Sequence, residues 1–253
     1  MHRFFVPPDW IQDNAVTITG PQVHQIDHVL RMRPGDELIV LDNSGWEIQT
    51  RLISVERDTI RAEVQRRRLA GGEPRTKISI YQGVLRSKKF EYVLQKCTEL
   101  GVVEFVPIIT ERCVISNLDA VERKRDRWSW IIQEAAEQSR RGRLPLLRSS
   151  MLLAQACGRA RQQGGLAMVP WEEEKSASLR EILHNPPPGH ERSWPPLTIS
   201  LFIGPEGGFT VDEIDLSERY GLVPVTLGAR IFRAETAGLV AATALLYDLG
   251  DME

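Results

Sequence analysis

The sequence predicts an α/β protein in which a small β-barrel precedes a larger domain with a mostly parallel sheet. The first 70 or so residues contain short β-like segments between turn signals, a pattern typical of small β-barrels. From Lys77 onwards, apolar strand-like runs alternate with segments of helical periodicity. Repeated β-then-α units indicate a mostly parallel sheet covered by helices. A length of 253 residues suits one large domain or two smaller ones.

The N-terminal part contains four predicted strands and one short helix. The strands fall at 15–18, 37–42, 47–55 and 59–64, and the helix at 21–30. Turn signals occur at 33–36 and 42–45. The following stretch, 66–76, is charged and carries two glycines and a proline, so it is predicted to be a linker. We therefore place a barrel domain at 1–72 and a second domain at 73–253.

The second domain contains the alternating elements. Strands are predicted at 77–85, 104–109, 166–169, 197–203 and 223–227, and helices at 87–100, 118–138, 151–162, 179–183, 210–220 and 235–249. Thr210 and Glu213 have the spacing of a capping box, which begins a helix. Five prolines within 184–196 predict a loop there.

The composition excludes several classes of protein. Hydrophobic residues make up 42% and charged residues 26% of the chain, as in ordinary globular proteins. No apolar run reaches the roughly 18 residues that span a bilayer, and the N-terminus lacks the apolar core of a secretion signal. Three widely spaced cysteines support neither a zinc site nor a disulfide framework. A reducing, cytoplasmic setting is therefore expected.

The charge distribution leaves two interpretations open. The formal net charge of -2 gives no global nucleic-acid signature. However, eight basic residues fall between Arg123 and Arg148. Such a stretch forms either a phosphate-contacting patch or a solvated helix face.

Two glycine-bearing loops near the C-terminus are the best candidates for a functional site. They lie at 203–209 (IGPEGGF) and 227–237 (LGARIFRAETA), and each follows an apolar run. The two runs are predicted to be neighbouring strands, with one loop at the carboxyl end of each. Open α/β sheets bind ligands outside the carboxyl ends of their strands, and glycine lets the backbone approach a ligand closely. If these loops are adjacent, they form a cofactor pocket that also carries Arg230, Arg233 and Glu235. The alternatives are a tight βα turn and a glutamate that only caps a helix.

Several motifs carry a resemblance to a known family. They are Arg3-Phe4-Phe5, the stretches at 28–32 (HVLRM) and 95–102 (QKCTELGV), Glu111-Arg112-Cys113, Glu137-Gln138-Ser139, 203–208 (IGPEGG), Leu227-Gly228 and 233–237 (RAETA). With these motifs the chain resembles the RsmE family of bacterial ribosomal RNA methyltransferases, in the SPOUT superfamily, over nearly its whole length. It departs from the family at Arg140, where glycine is common, and at Phe232, where leucine is common.

The resemblance implies a fold and an activity. The barrel would be PUA-like and bind RNA, and the second domain would contain a deep trefoil knot that binds S-adenosylmethionine. A homodimer would methylate N3 of a uridine in small-subunit (16S) ribosomal RNA within the assembled 30S subunit, without a metal. The implied cofactor-binding residues are Ile203, Gly204, Gly208, Leu227, Gly228, Ile231 and Ala237. From their placement beside the glycine loops, Arg233 is predicted to stabilise charge on the uracil carbonyls, and Glu235, or Glu134 across the dimer, to accept the proton or orient the base. The expected RNA contacts are Arg3, Arg31, Arg33, Arg140, Arg141 and Arg143.

Three other functions are compatible with parts of the sequence. A SPOUT enzyme that methylates a ribose 2′-hydroxyl would have a similar pocket but would need no deprotonated base. A non-catalytic ribosome-assembly factor would use the barrel and the basic stretch alone. A nicotinamide-dependent enzyme has little support, because the GxGxxG fingerprint is absent from the sequence.

Overall fold

The computed structural model describes residues 1–185, 194 and 196–252 and divides into two compact units. Unit 1 comprises Met1–Glu73 and Gln133–Leu144. Unit 2 comprises Pro74–Ile132 and Pro145–Glu253. The chain therefore contributes to unit 1 twice, and the second contribution contains the end of a long helix.

Unit 1 is built on one curled six-stranded sheet. Its strands are β1 (Arg3–Phe5), β2 (Ile11–Gln12), β3 (Ala15–Thr19), β4 (Glu37–Leu41), β5 (Trp46–Val55) and β6 (Thr59–Leu69). Their order is β1-β4-β5-β6-β3-β2, with β1 parallel to β4 and the other pairs antiparallel. Two register shifts interrupt the pairing of β5 with β6, and such irregularities bend a sheet. Alternate apolar residues, among them Val16, Ile18 and Ile60, fill the core.

The connections in unit 1 are short and partly strained. A 3-10 helix covers Pro8–Trp10, and the predicted helix at 21–30 consists of α1 (Pro21–His24) followed by a π-helix over Gln25–Val29. Arg31 and Arg140 are two of the four non-glycine residues with positive φ among the described residues, at 55° and 63°. A left-handed conformation costs a residue with a Cβ atom roughly 1–2 kcal/mol.

The predicted linker at 66–76 is wrong in its first part. Strand β6 continues through Leu69, and Arg68 pairs with Glu47 on β5. The ion pair between Arg68 and Glu47 stabilises this extension across the strands. The two short strands β1 and β2 were not predicted.

Unit 2 contains a parallel sheet, as the sequence predicts. Its strands are β7 (Lys77–Gly83), β8 (Glu104–Ile109), β9 (Leu146–Leu147), β10 (Met151–Leu152), β11 (Leu166–Pro170), β12 (Thr198–Ile203) and β13 (Val223–Val225). The order is β10-β8-β7-β12-β11-β13, with β9 also on β8, and every pairing is parallel. The helices are α2 (Ser87–Leu100), α3 (Leu118–Glu122), α4 (Arg125–Gln138), α5 (Leu153–Gln163), α6 (Leu179–His184), α7 (Val211–Arg219) and α8 (Ala234–Asp248).

Two apolar cores cover the opposite faces of this sheet. Ile80 faces a cluster that includes side chains of α2 and α8, and Tyr81 faces a cluster that includes side chains of α5 and α7. Tyr81 and Phe202 stack there with ring centroids 4.3 Å apart. Strands that are buried on both faces have nearly continuous apolar sequences, which explains why 77–85 and 197–203 are recognisable as strands.

Two predicted helices differ from the structure. The helix predicted at 118–138 is interrupted between α3 and α4, where the Lys124 N–H donates to the Val121 carbonyl in a tighter turn. The helix predicted at 151–162 begins at Leu153, because Met151 and Leu152 pair with the edge of β8. The proline-rich loop at 184–196 lies mostly outside the described residues. No helix in the described ranges is long and apolar enough to cross a membrane.

Candidate active site

A cavity of about 840 Å³ lies at the carboxyl ends of three parallel strands in unit 2. It is lined by residues that follow β12, β13 and β11. The sequence predicted that the two glycine loops follow neighbouring strands, and this is wrong because β11 lies between β12 and β13. Both loops still reach the same cavity, since all three strands run parallel and end at one edge of the sheet.

Close backbone approach and hydrogen bonds hold the first loop, 203–209, in place. The Gln82 side chain donates to the Gly204 carbonyl at 3.2 Å, and Arg112 donates to the Gly207 carbonyl at 2.7 Å. Gly208 has a φ of 69°, in the left-handed region that favours glycine. The loop ends at the capping box of Thr210 and Glu213, which begins α7 as predicted.

The second loop leads into the N-terminus of α8. The Gly228 N–H donates to the Thr226 hydroxyl at 3.1 Å. Arg233 is the N-cap residue of α8, and its carbonyl accepts hydrogen bonds from the Thr236 and Ala237 N–H groups. The Arg233 side chain is exposed and lines the cavity. The loop thus places a guanidinium beside a helix N-terminus at the cavity wall.

Glu235 lies in the first turn of α8, with its side chain only 16% exposed. Lys89 Nζ lies 3.3 Å from Glu235 Oε2 and 3.7 Å from Glu206 Oε1. Burial disfavours the Glu235 carboxylate, but hydrogen bonds and the charges of Lys89 and Arg233 outweigh burial, so the pKa of Glu235 is lowered. The carboxylate is therefore ionised at neutral pH.

A third group of lining residues was missed in the sequence. Trp171, Glu172 and Glu174 follow β11 and line the cavity. Hydrogen bonds from the Ser176 hydroxyl and from backbone N–H groups lower the pKa of Glu174 to about 2, so Glu174 is engaged in its own turn. Glu172 is exposed, and its carboxylate lies beside Gly208. The signal was the end of the short strand predicted at 166–169, which marks the same edge of the sheet.

The structure brings most of the predicted site residues together. Arg233 and all seven predicted cofactor-binding residues line the cavity, namely Ile203, Gly204, Gly208, Leu227, Gly228, Ile231 and Ala237. Glu235 is next to Arg233 in sequence but is not among the lining residues. Glu134 belongs to unit 1 and is exposed on α4.

The arginines predicted to contact RNA fall into two groups. Arg31, Arg33, Arg140 and Arg143 are exposed. Arg3 is largely buried and pairs with Glu47, with Nη2 2.5 Å from Oε2. Arg141 is 2% exposed and pairs with Glu73 at 2.9 Å. This burial leaves no surface of Arg141 for an RNA phosphate, so Arg141 is not retained as an expected RNA contact.

The sequence matches two family models. Residues 72–246 match the family described as an RNA methyltransferase domain, and residues 18–65 match an RNA methyltransferase PUA domain. A relative from Bacillus subtilis, named ribosomal RNA small subunit methyltransferase E, is 34% identical over 98% of this chain and 96% of its own length. The chain belongs to this methyltransferase E family. The resemblance described from the sequence motifs is thereby confirmed, and unit 1 is PUA-like.

Solved structures agree with this membership of the methyltransferase E family. A ribosomal RNA small subunit methyltransferase E from Neisseria gonorrhoeae, bound to S-adenosylmethionine, has a TM-score of 0.83 and 28% identity. The alignment covers 98% of this chain and 97% of that one. A Legionella pneumophila protein in complex with the cofactor S-adenosylmethionine has a TM-score of 0.84 and 28% identity, with 97% of each chain covered.

Proposed function

We propose that this chain transfers a methyl group from S-adenosylmethionine to N3 of a uridine in small-subunit (16S) ribosomal RNA. The proposed substrate is the assembled 30S subunit in the cytoplasm, and the proposed active form is a homodimer. The cavity that both glycine loops line, in a member of the methyltransferase E family, carries this proposal. Relatives with the same fold are solved with S-adenosylmethionine bound.

The residues of the cavity fit this cofactor. About 840 Å³ lies within the range of roughly 300–1,000 Å³ that small-molecule sites occupy. Ile203, Leu227 and Ala237 supply apolar walls for an adenine ring. The backbone of the loops presents N–H and carbonyl groups at the cavity, where glycine allows close approach. Glu172 supplies an acceptor for a ribose hydroxyl or an ammonium group.

The chemistry then requires the removal of a proton from the base. The sulfonium of S-adenosylmethionine supplies an activated methyl group when it is bound. Uridine N3 carries a proton at neutral pH and must lose it to become a nucleophile. We assign to Arg233 the stabilisation of the negative charge that develops on the uracil carbonyls, because its side chain lines the cavity.

Glu235 is better suited to position Lys89 and Arg233 beside the cavity than to accept the proton, because its own side chain does not line the cavity. A general base is most effective when its pKa lies near the operating pH, and the pKa of Glu235 is lowered. Its carboxylate instead interacts with Lys89 and is favoured at the N-terminus of α8. Glu134, from a second copy of the chain, is our candidate for accepting the proton, since it is exposed on α4.

A surface feature of unit 2 supports the proposed homodimer. A second cavity, of about 550 Å³, has a lining that includes the side chains of Leu183, Leu227, Val240, Ala244 and Tyr247, with Arg180 and Asp248 also present. Tyr247 is 71% exposed and extends this apolar surface, and exposed apolar patches mark interaction sites. Contact between two copies along α8 would cover this face. We also propose that the loops around the first cavity form the deep trefoil knot of the SPOUT superfamily.

The target nucleotide must be unpaired or flipped out of a helix, because the N3 edge takes part in Watson–Crick pairing. The exposed arginines of unit 1 supply the positive charge that phosphate contacts require. Unit 1 is therefore proposed to bind RNA, which agrees with its match to a PUA domain of RNA methyltransferases.

Replacement of Arg233 by alanine tests this mechanism. We expect Arg233→Ala to bind S-adenosylmethionine and to fold normally, but to transfer methyl at least about 100-fold more slowly, as when one oxyanion-stabilising group is lost. Arg219→Ala is a matched control, because Arg219 is exposed on α7 and does not line the cavity. Full activity of Arg233→Ala with a normal melting curve would overturn the assignment.

A further inference from the structure

Unit 1 contains a cavity of its own, of about 690 Å³, that the proposed reaction does not use. Its walls come from β1, β4, β5, β6, the Gly71-Gly72 segment and the turn after α4. The volume suits a nucleotide-sized ligand. All the lining residues belong to unit 1.

The cavity is strongly basic. Four arginines line it, namely Arg3, Arg66, Arg68 and Arg140, against the single carboxylate of Glu47. Glu47 pairs with both Arg3 and Arg68. Within the described ranges, Arg66 and Arg140 form no ion pair with a carboxylate. The cavity therefore keeps an excess of positive charge, which attracts an anion.

Arg3 provides a second observation that points to a ligand. Its side chain is only 8% exposed. The Arg3 Nε atom is buried and has no hydrogen-bond partner among the described residues. A buried donor without an acceptor is destabilising, and native proteins usually satisfy such groups. An anionic oxygen that enters the cavity would supply the missing acceptor.

Arg140 provides a third observation. It adopts a φ of 63°, in the left-handed region that favours glycine. Its guanidinium nevertheless lines the cavity and is exposed. Strain that persists at one residue is a reason to look for a function of its side chain.

We propose that this cavity binds a phosphodiester group of the substrate RNA, with Arg3, Arg66 and Arg140 as donors. Arginine presents several N–H groups in a planar fork that matches phosphate oxygens. Glu47, which also lines the cavity, holds Arg3 and Arg68 through ion pairs. The Arg140 side chain therefore contributes part of the affinity of unit 1 for RNA. This inference rests on the proposed function only in that RNA is the substrate.

The variant Arg140→Gly separates binding from folding, because it removes the guanidinium and relieves the positive-φ strain. Binding of radiolabelled 16S rRNA transcript to the full-length protein is measured by filter binding at several salt concentrations. We expect Arg140→Gly to weaken binding about 3- to 10-fold and to reduce the slope of log affinity against log salt by about 1. We expect its melting temperature to be unchanged or higher. Arg66→Ala should weaken binding in the same way.

The control is Arg57→Ala, since Arg57 is exposed in the turn between β5 and β6 and does not line the cavity. Unchanged affinity and salt slope for Arg140→Gly would overturn the proposal, and so would an equal loss for Arg57→Ala, which would show a general charge effect. Tight binding of free uridine monophosphate that Arg140→Gly abolishes, with RNA binding intact, would contradict the RNA assignment. Methyl transfer is measured separately, so failure of the proposed reaction leaves this comparison valid.

Discussion

Gly83, at the end of β7, is expected to be intolerant of even one added methyl group. A Cβ atom at this position would lie 2.6 Å from Pro205 N, 2.9 Å from Pro205 Cδ and 3.0 Å from the Gly204 carbonyl carbon. Two of these atoms belong to the backbone of the first glycine loop, so the clash cannot be relieved by rotating a side chain. The loop must move by several tenths of an ångström, and overpacking of this kind costs about 1–3 kcal/mol.

The Gly83→Ala variant should therefore lose cofactor affinity as well as stability. If the whole cost of about 1–3 kcal/mol falls on the cofactor-binding conformation of the loop, the dissociation constant for S-adenosylmethionine rises roughly 5- to 150-fold. Calorimetric titration with S-adenosylmethionine measures the affinity, and urea unfolding measures the stability. We expect the affinity loss to exceed 5-fold, with the fold retained by circular dichroism.

Gly158→Ala is the matched control. Gly158 lies inside α5, and a Cβ atom there would meet only Tyr220 Cε1, at 3.7 Å, an ordinary contact. Alanine in a helix interior is favoured over glycine by about 1 kcal/mol, so this variant should be more stable and bind the cofactor normally. Wild-type cofactor affinity and stability for Gly83→Ala would refute the close packing of the loop on β7.

Three further variants test other contacts. Glu104→Gln should lower the unfolding free energy by about 2–3 kcal/mol, because Glu104 is buried and pairs with Arg148 and Arg159, which are themselves partly solvated. Burial opposes the charge of Glu104, but its hydrogen bonds outweigh burial and lower its pKa. The stability that wild-type Glu104 contributes is therefore present above its unfolded-state pKa and lost as the pH falls through its folded-state pKa. Urea unfolding at several pH values measures this loss. Thr210→Ala should cost about 1 kcal/mol in urea unfolding, because Thr210 caps α7. Glu235→Gln should slow methyl transfer by a constant factor across neutral pH, because the lowered pKa keeps Glu235 ionised there; a shifted pH–rate profile would instead indicate a general base.

The sequence predicts those features of the fold that are encoded locally. The apolar runs at 77–85 and 197–203 are buried on both faces of the sheet, so their composition alone marks them as strands. The capping box at Thr210 is likewise local, because both of its partners lie within one helical turn. The glycine loops are recognisable because they follow such strands.

Features that depend on distant partners were not predictable in the same way. Strand β10 has two residues and forms only because the edge of β8 is available. Arg141 has the sequence context of an exposed helix end, yet the Glu73 carboxylate, 68 residues earlier, holds it in a buried position. The position of β11 between β12 and β13 reflects the crossover order of the chain, which no local pattern specifies.

Identification of the methylated nucleoside tests the central claim most directly. The protein is incubated with isotopically labelled S-adenosylmethionine and unmodified small ribosomal subunits, and the digested RNA is analysed by mass spectrometry. The proposed function predicts labelled 3-methyluridine. A labelled 2′-O-methyl nucleoside would contradict methylation at N3 but would agree with S-adenosylmethionine as the cofactor. The absence of both label and cofactor binding would contradict the proposed methyltransferase activity.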